Sequence, residues 1–128
     1  MPVVVALLSA KPNDILLIEN PESHLHPSGQ AGISKLISLA AESGIQLIIE
    51  THSDHIINGV LVSTNLNYKG VEKGIQSKNI KIYFIDRDEE EHIAKVFPVK
   101  VLEDGRINSA PPKFFDQFSK DMKTIMGF

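Results

Sequence analysis

The sequence predicts an α/β fold: a parallel-sheet core built on a βαβ unit, followed by an antiparallel β-hairpin and a C-terminal helix. Three observations carry this expectation. Two short aliphatic runs, Ile15 to Ile18 and Ile45 to Ile49, both stop abruptly in polar residues. Between them, Ile33, Leu36, Ile37 and Ala40 recur at helical spacing. After residue 78 the composition changes to β-branched and aromatic segments, then to a phenylalanine-rich stretch at helical spacing.

Each element follows from local chemistry. Val3 to Leu8 is apolar and fits helix or strand equally by periodicity, and "AKPND" closes it as a turn. Ile15 to Ile18 is apolar on both faces, as expected of a strand buried in a parallel sheet. Ser28 is the expected N-cap of the crossover helix, and Gly44 lies just past its end as a stop. The second strand has the same design as the first. Ser53 or Asp54 caps a further helix carrying Ile56, Ile57, Val60 and Leu61, which is expected to fade into a polar loop over "STNLNYKGVEKGIQSK" with one short helical turn at most. "NIKIYFID" and "EEHIAKVFPVKV" form the hairpin across the charged turn "RDEEE", and Pro98 marks the second strand as an edge or a bent strand. Phe114, Phe115, Phe118, Met122, Ile125 and Met126 stripe the final helix, with Pro112 in its first turn.

Composition narrows the function classes. With 128 residues and 42% hydrophobic content, the chain can bury a core and is expected to be one domain, residues 79–128 packing on residues 1–78. A net charge of −3 gives no basic field, so nucleic-acid contact has no support from charge. Having no cysteine excludes disulfides and thiolate metal sites and suits a reducing cytoplasm. The apolar start "MPVVVALLSAKP" has no Lys or Arg before its apolar run and is about half the ~20 residues of a membrane span. A soluble protein is therefore expected.

The chemistry sits at the strand ends. A βαβ crossover makes its strands parallel, so "ENPESHLH" and "ETHSDH" emerge at one edge, and open α/β sheets bind ligands outside the carboxyl ends of their strands. A rigid strand ending in carboxylates is an arrangement that nucleotide hydrolases use to hold Mg²⁺ and orient water. A histidine on the neighbouring strand end can reach a terminal phosphate. His52 stands there.

Against these residues a family resemblance emerges. "ILLIENPESHLHP" resembles the Walker B and D-loop segment of ABC-type P-loop ATPases of the RecF, SMC and OLD-like kind, and "LIIETHSDHII" resembles their switch-histidine segment. "ENPESHLHPSGQ" with "PPKFFDQFSKDM" is similar to an AAA-type branch of predicted ATPases carrying the C-terminal domain DUF3696. The resemblance implies ATP and Mg²⁺ as cofactors. Glu19 takes the Walker B position, reaching Mg²⁺ through water. Asn20 takes the catalytic glutamate position and Glu22 is an extra acid. His24, Leu25, His26 and Pro27 form the D-loop, and His52 is the switch histidine. An amide at Asn20 cannot accept a proton from water, so either Glu22 serves as base or hydrolysis is slow. No G-x-x-x-x-G-K-[ST] loop is present. The resemblance therefore implies the C-terminal part of an ATPase head, weak or inactive alone, from a protein whose heads form a homodimer.

Two other readings start from the same residues. His24, His26, His52 and His55 with Glu19, Glu22 and Asp54 could form a zinc or dinuclear hydrolase site. "ETHSDH" resembles the H-x-H-x-D-H segment of metallo-β-lactamase-like hydrolases, with Glu50 replacing the first histidine. Only His92 remains downstream to complete such a site. The third reading is a non-catalytic interaction module.

Overall fold

In a computed structural model, residues 3–108 are described except His24 and Glu89, and for Pro27, Arg87 and Asp88 the backbone only. The expected C-terminal helix, from Pro112 to Met126, lies outside the described residues. The chain divides into two compact units, Met1–Ile80 with Glu103–Arg106, and Lys81–Leu102 with the residues from Ile107 onward.

In the first unit the order is α1 (Val3–Ser9), β1 (Ile15–Glu19), α2 (Pro27–Glu42), β2 (Gln46–Glu50) and α3 (Asp54–Tyr68), then a 3-10 turn at Ser77–Asn79. Val3 to Leu8, undecided between helix and strand by periodicity, is helical. The strands pair in parallel from Ile15↔Gln46 to Glu19↔Glu50, confirming the βαβ unit. Alternation along the strands sends Leu16, Ile18, Leu47 and Ile49 to one face, where they meet Leu7, Ile33, Ile37 and Ile56 of the helices. Burying each such side chain stabilises the unit by about 1.5–3 kcal/mol.

The other face is uncovered among the described residues: Ile15 is 63% exposed, Leu17 75% and Ile48 53%. The expectation of strands buried on both faces therefore holds for one face only. Layering decides it, because the described helices all pack against the same side of a two-stranded sheet.

Helix boundaries also differ from expectation. The N-cap of α2 is His26, not Ser28. Pro27 has no N–H to lose at the first helical position and biases its predecessor toward extended backbone, which moves the boundary two residues upstream. His26 has φ −66° and ψ 151°. Gly44 terminates the region as expected, with φ at 105°. Ser53 rather than Asp54 caps α3, its hydroxyl accepting from the Ile56 amide. Asp54 then places a carboxylate in the first turn, where the helix dipole favours it.

Helix α3 runs to Tyr68, through "STNLNY", where local composition favours a loop. Tertiary contacts outweigh the modest helix propensity of these residues. Ser63 and Thr64 are buried, and the Thr64 hydroxyl donates to the Val60 carbonyl at 3.0 Å. The Asn65 side chain donates to the Asp104 carbonyl at 2.8 Å, tying in the returning segment.

Helices α2 and α3 approach closely. Ser34 is fully buried and its hydroxyl is within hydrogen-bond distance of the carbonyls of Gln30, at 3.0 Å, and Ile56, at 2.9 Å. Gly59 faces it: a β-carbon there would lie 2.3 Å from the Ser34 Cβ. Such proximity needs glycine.

In the second unit β3 (Ile82–Asp88) and β4 (Ile93–Val99) form the expected antiparallel hairpin, from Ile82↔Val99 to Asp88↔Ile93. Strand β3 extends into "RDEEE", so the turn is shorter than expected, and His92 takes positive φ at 56°. Pro98 pairs opposite Tyr83 in a sheet that has two strands among the described residues, and proline is tolerated on such an edge. Phe84 and Phe97 are register partners with ring centroids 6.4 Å apart.

Candidate functional site

Parallel register brings Glu19 and Glu50 side by side at the carboxyl ends of β1 and β2. Both are exposed. Adjacent strands lie about 4.8 Å apart, so two carboxylates share one small region of the edge. The ladder continues one step further, the Asn20 amide donating to the Glu50 carbonyl at 2.8 Å. His52 follows on the neighbouring loop with its ring largely in solvent, Nε2 4.0 Å from Glu50 Oε1. That is the outer limit of an ion pair.

Asn20 has positive φ, 47°. Asparagine adopts this left-handed conformation more readily than glutamate, because its short polar side chain can satisfy the local backbone. Backbone geometry thus gives a reason for Asn20 independent of proton transfer. The chain turns here, and the Ser23 amide donates back to the Asn20 carbonyl at 3.0 Å.

Glu22 is half-buried and faces the second loop. Its Oε2 accepts from the Thr51 hydroxyl at 2.8 Å and its Oε1 from the His52 amide at 3.2 Å. Thr51 Oγ1 accepts in turn from the Ser53 amide at 3.0 Å. The Ser53 hydroxyl reaches Gln30 Oε1 at 2.6 Å, and Gln30 Nε2 donates to the Leu25 carbonyl at 3.2 Å.

The rest of the first loop turns into the helix. Leu25 is exposed, its amide donating to the Glu22 carbonyl at 3.0 Å. His26 caps α2 through its ring, Nδ1 accepting from the Ser28 amide at 3.4 Å with the Ser28 hydroxyl 3.1 Å away. Pro27 opens the helix. His24 lies outside the described residues. His55 is exposed in the first turn of α3.

The donor set at the edge consists of carboxylate oxygens on rigid strand ends. Hard oxygen donors suit Mg²⁺, which keeps most of its water and asks for only one or two protein carboxylates. Glu19 and Glu50 are the carboxylates at this edge that could hold such an ion. Among the described residues no three His, Cys, Asp or Glu side chains converge as a metal-ligand group. Also among the described residues, no helix is long and apolar enough to cross a membrane.

Sequence reasoning places Glu19, Asn20, Glu22 and His52 at one edge. It does not single out Gln30 or Thr51, nor pair Glu50 with Glu19. The Glu19↔Glu50 pairing is recoverable from sequence, since each is the first acid after its aliphatic run. The Glu22–Thr51 contact joins residues 29 apart in sequence, and no local signal announces it.

Comparison with known proteins agrees with the family resemblance. Residues 1–58 match the family described as "AAA domain, putative AbiEii toxin, Type IV TA system". Residues 75–125 match DUF3696, a family of unknown function. A relative, the Old nuclease of Escherichia phage P2, is 33% identical over 81 residues, covering 59% of this chain and 14% of that protein. No solved structure matches with significance.

Proposed function

We propose, for a chain similar to an AAA-domain family over residues 1–58, to DUF3696 over residues 75–125 and to the Old nuclease of phage P2, that it supplies one half of a Mg-nucleotide site. The observation that carries this reading is the register pair Glu19↔Glu50 at the carboxyl edge, with Asn20 and His52 on the loops that follow. Glu19 holds a Walker B position, His24 to Pro27 a D-loop and His52 a switch position. Mg²⁺, when bound, offsets phosphate charge and orients the attacking water.

This chain's own residues contribute rigid carboxylates and a solvent-facing imidazole. They contribute no phosphate-cradling loop, since the sequence has no G-x-x-x-x-G-K-[ST]. The face of Ile15, Leu17 and Ile48, uncovered among the described residues, supports a sheet that is layered on both sides in a longer protein. In such a protein paired heads would complete the site, and hydrolysis would belong to that assembly.

Calorimetric titration with Mg-ATP tests the reading on the chain itself. The expected dissociation constant is weaker than about 1 mM, with negligible turnover. Micromolar binding would contradict the half-site, and stoichiometric zinc in the purified protein would favour the hydrolase instead.

A further inference from the structure

We propose that Glu22 is a positioning residue: its carboxylate latches the 51–53 segment to Glu22 and Leu25 after β1, so that the placement of His52 depends on the chain following β1. The functional meaning of this latch rests on the half-site reading. The latch itself rests on geometry alone.

The contacts form a closed circuit. From Glu22 it passes through the Thr51 hydroxyl to the Ser53 amide. The Ser53 hydroxyl continues it to Gln30, and the Gln30 side chain returns it to the Leu25 carbonyl. The Leu25 amide closes it on the Glu22 carbonyl at 3.0 Å. Three pieces of backbone are thereby joined: the loop after β1, the loop after β2 and the first turn of α2. A second bond from the His52 amide to Glu22 fixes the residue whose side chain faces the edge.

Charge makes Glu22 the strongest member. Hydrogen bonds to an ionised acceptor exceed neutral ones roughly twofold. Both carboxylate oxygens accept from protein donors, which suits holding a neighbour better than taking a proton from water. Glu19, exposed at the strand end, has the opposite character. The two acids divide the work: Glu19 faces ligand and Glu22 sets the loop opposite.

Gln30 gives the circuit a testable signature. Its side-chain amide hydrogen-bonds Ser53 and Leu25, joining the two loops at a point other than the Glu22 carboxylate. A set of unrelated local bonds would not transmit its removal, whereas a latch would.

Amide hydrogen exchange of the whole chain, followed by NMR without nucleotide, tests this. Glu22→Ala is expected to accelerate exchange at His52 and Ser53 by about tenfold to a hundredfold. Thr51→Val, which keeps the side-chain volume and removes the hydroxyl, should accelerate the same amides. Glu22→Gln, retaining one acceptor oxygen, should fall between wild type and Glu22→Ala. Gln30→Ala should loosen Leu25 and His52 together, by several-fold. Strand amides such as Ile18 and Leu47 should keep their wild-type rates.

Unchanged rates at His52 and Ser53 in Glu22→Ala or Thr51→Val would overturn the latch, as would a Gln30→Ala effect at one loop only. A uniform acceleration that includes the strands would overturn it too, showing general destabilisation. Should Glu22→Ala fail to fold, Thr51→Val and Glu22→Gln decide between latch and no latch in its place. Because exchange is read without nucleotide, failure of the latch leaves the half-site reading standing, and the reverse also holds.

Discussion

The helix-covered face of the parallel pair and its carboxyl edge are built from the same strands but held in different ways. On the covered face, Leu16, Ile18, Leu47 and Ile49 pack against α-helical side chains, and Ser34 and Ser38 are buried with hydrogen-bond partners. At the edge, Glu19, Asn20, Glu50 and His52 are exposed, and order comes from hydrogen bonds between loops. Substitutions on the face should therefore change stability. At the edge they should change loop placement and ligand contact while leaving most of the stability intact.

The largest effect is expected at the centre of the face. Ile56 is 2% exposed, and Ile56→Ala should destabilise the fold by about 2–5 kcal/mol in denaturant unfolding, from lost burial and the cavity left behind. Next comes the helix contact. Gly59→Ala drives a methyl into Ser34 and should cost about 1–3 kcal/mol, despite the better helix propensity of alanine. A double change to Gly59→Ala with Ser34→Gly should recover part of that loss, because it removes the clashing side chain.

At the edge the expected effects are smaller. Asn20→Glu places glutamate at positive φ and should cost about 1 kcal/mol in the same measurement, with Asn20→Gly close to neutral. A large cost for Asn20→Gly would show that the amide, not the backbone conformation, holds this turn. Glu19→Ala should lie within about 0.5 kcal/mol of wild type, since the residue is exposed.

A third region provides a pH-dependent comparison. Burial pushes the Glu42 carboxyl upward, but donation from Asn79, from the Gln76 amide and from the Gln76 side chain, together with the Lys78 charge, brings it below the ordinary glutamate value. A lowered folded-state pKa means that this contribution is complete above the unfolded value and is lost as pH falls through the folded one. Glu42→Gln should therefore flatten part of the acid limb of a stability–pH curve. An unchanged acid limb would assign that slope to other carboxylates.

Much of the fold is legible in the sequence because it is local. Aliphatic runs ending in acids mark both strands, and spacing marks α2. The hairpin follows from β-branched segments around a charged turn. What local patterns miss depends on distant chain. Helix α3 reaches Tyr68 because Ser63 and Thr64 find burial and Asn65 finds Asp104, far along the sequence. Ser28 is the obvious cap by residue type, yet Pro27 fixes the start of α2 and leaves His26 to do the capping. Glu22 is recognisable as an acid near the site. Its partners are not, since they arrive from the next strand. By residue type Asn20 is a deficit in acid–base chemistry, and only the backbone dihedral shows what an asparagine gains there.

Whether Glu19 and Glu50 form the metal-facing half of a nucleotide site can be read with Mn²⁺ standing in for Mg²⁺. Both are hard cations that favour oxygen donors, and Mn²⁺ broadens nearby NMR signals even when binding is weak. With ATP present and Mn²⁺ added in small steps, amide signals of residues 19–20 and 50–52 should broaden first, and Glu19→Ala should remove that preference. Broadening centred elsewhere, or retained at the edge without the Glu19 carboxylate, would rule out this pair as the metal-facing half.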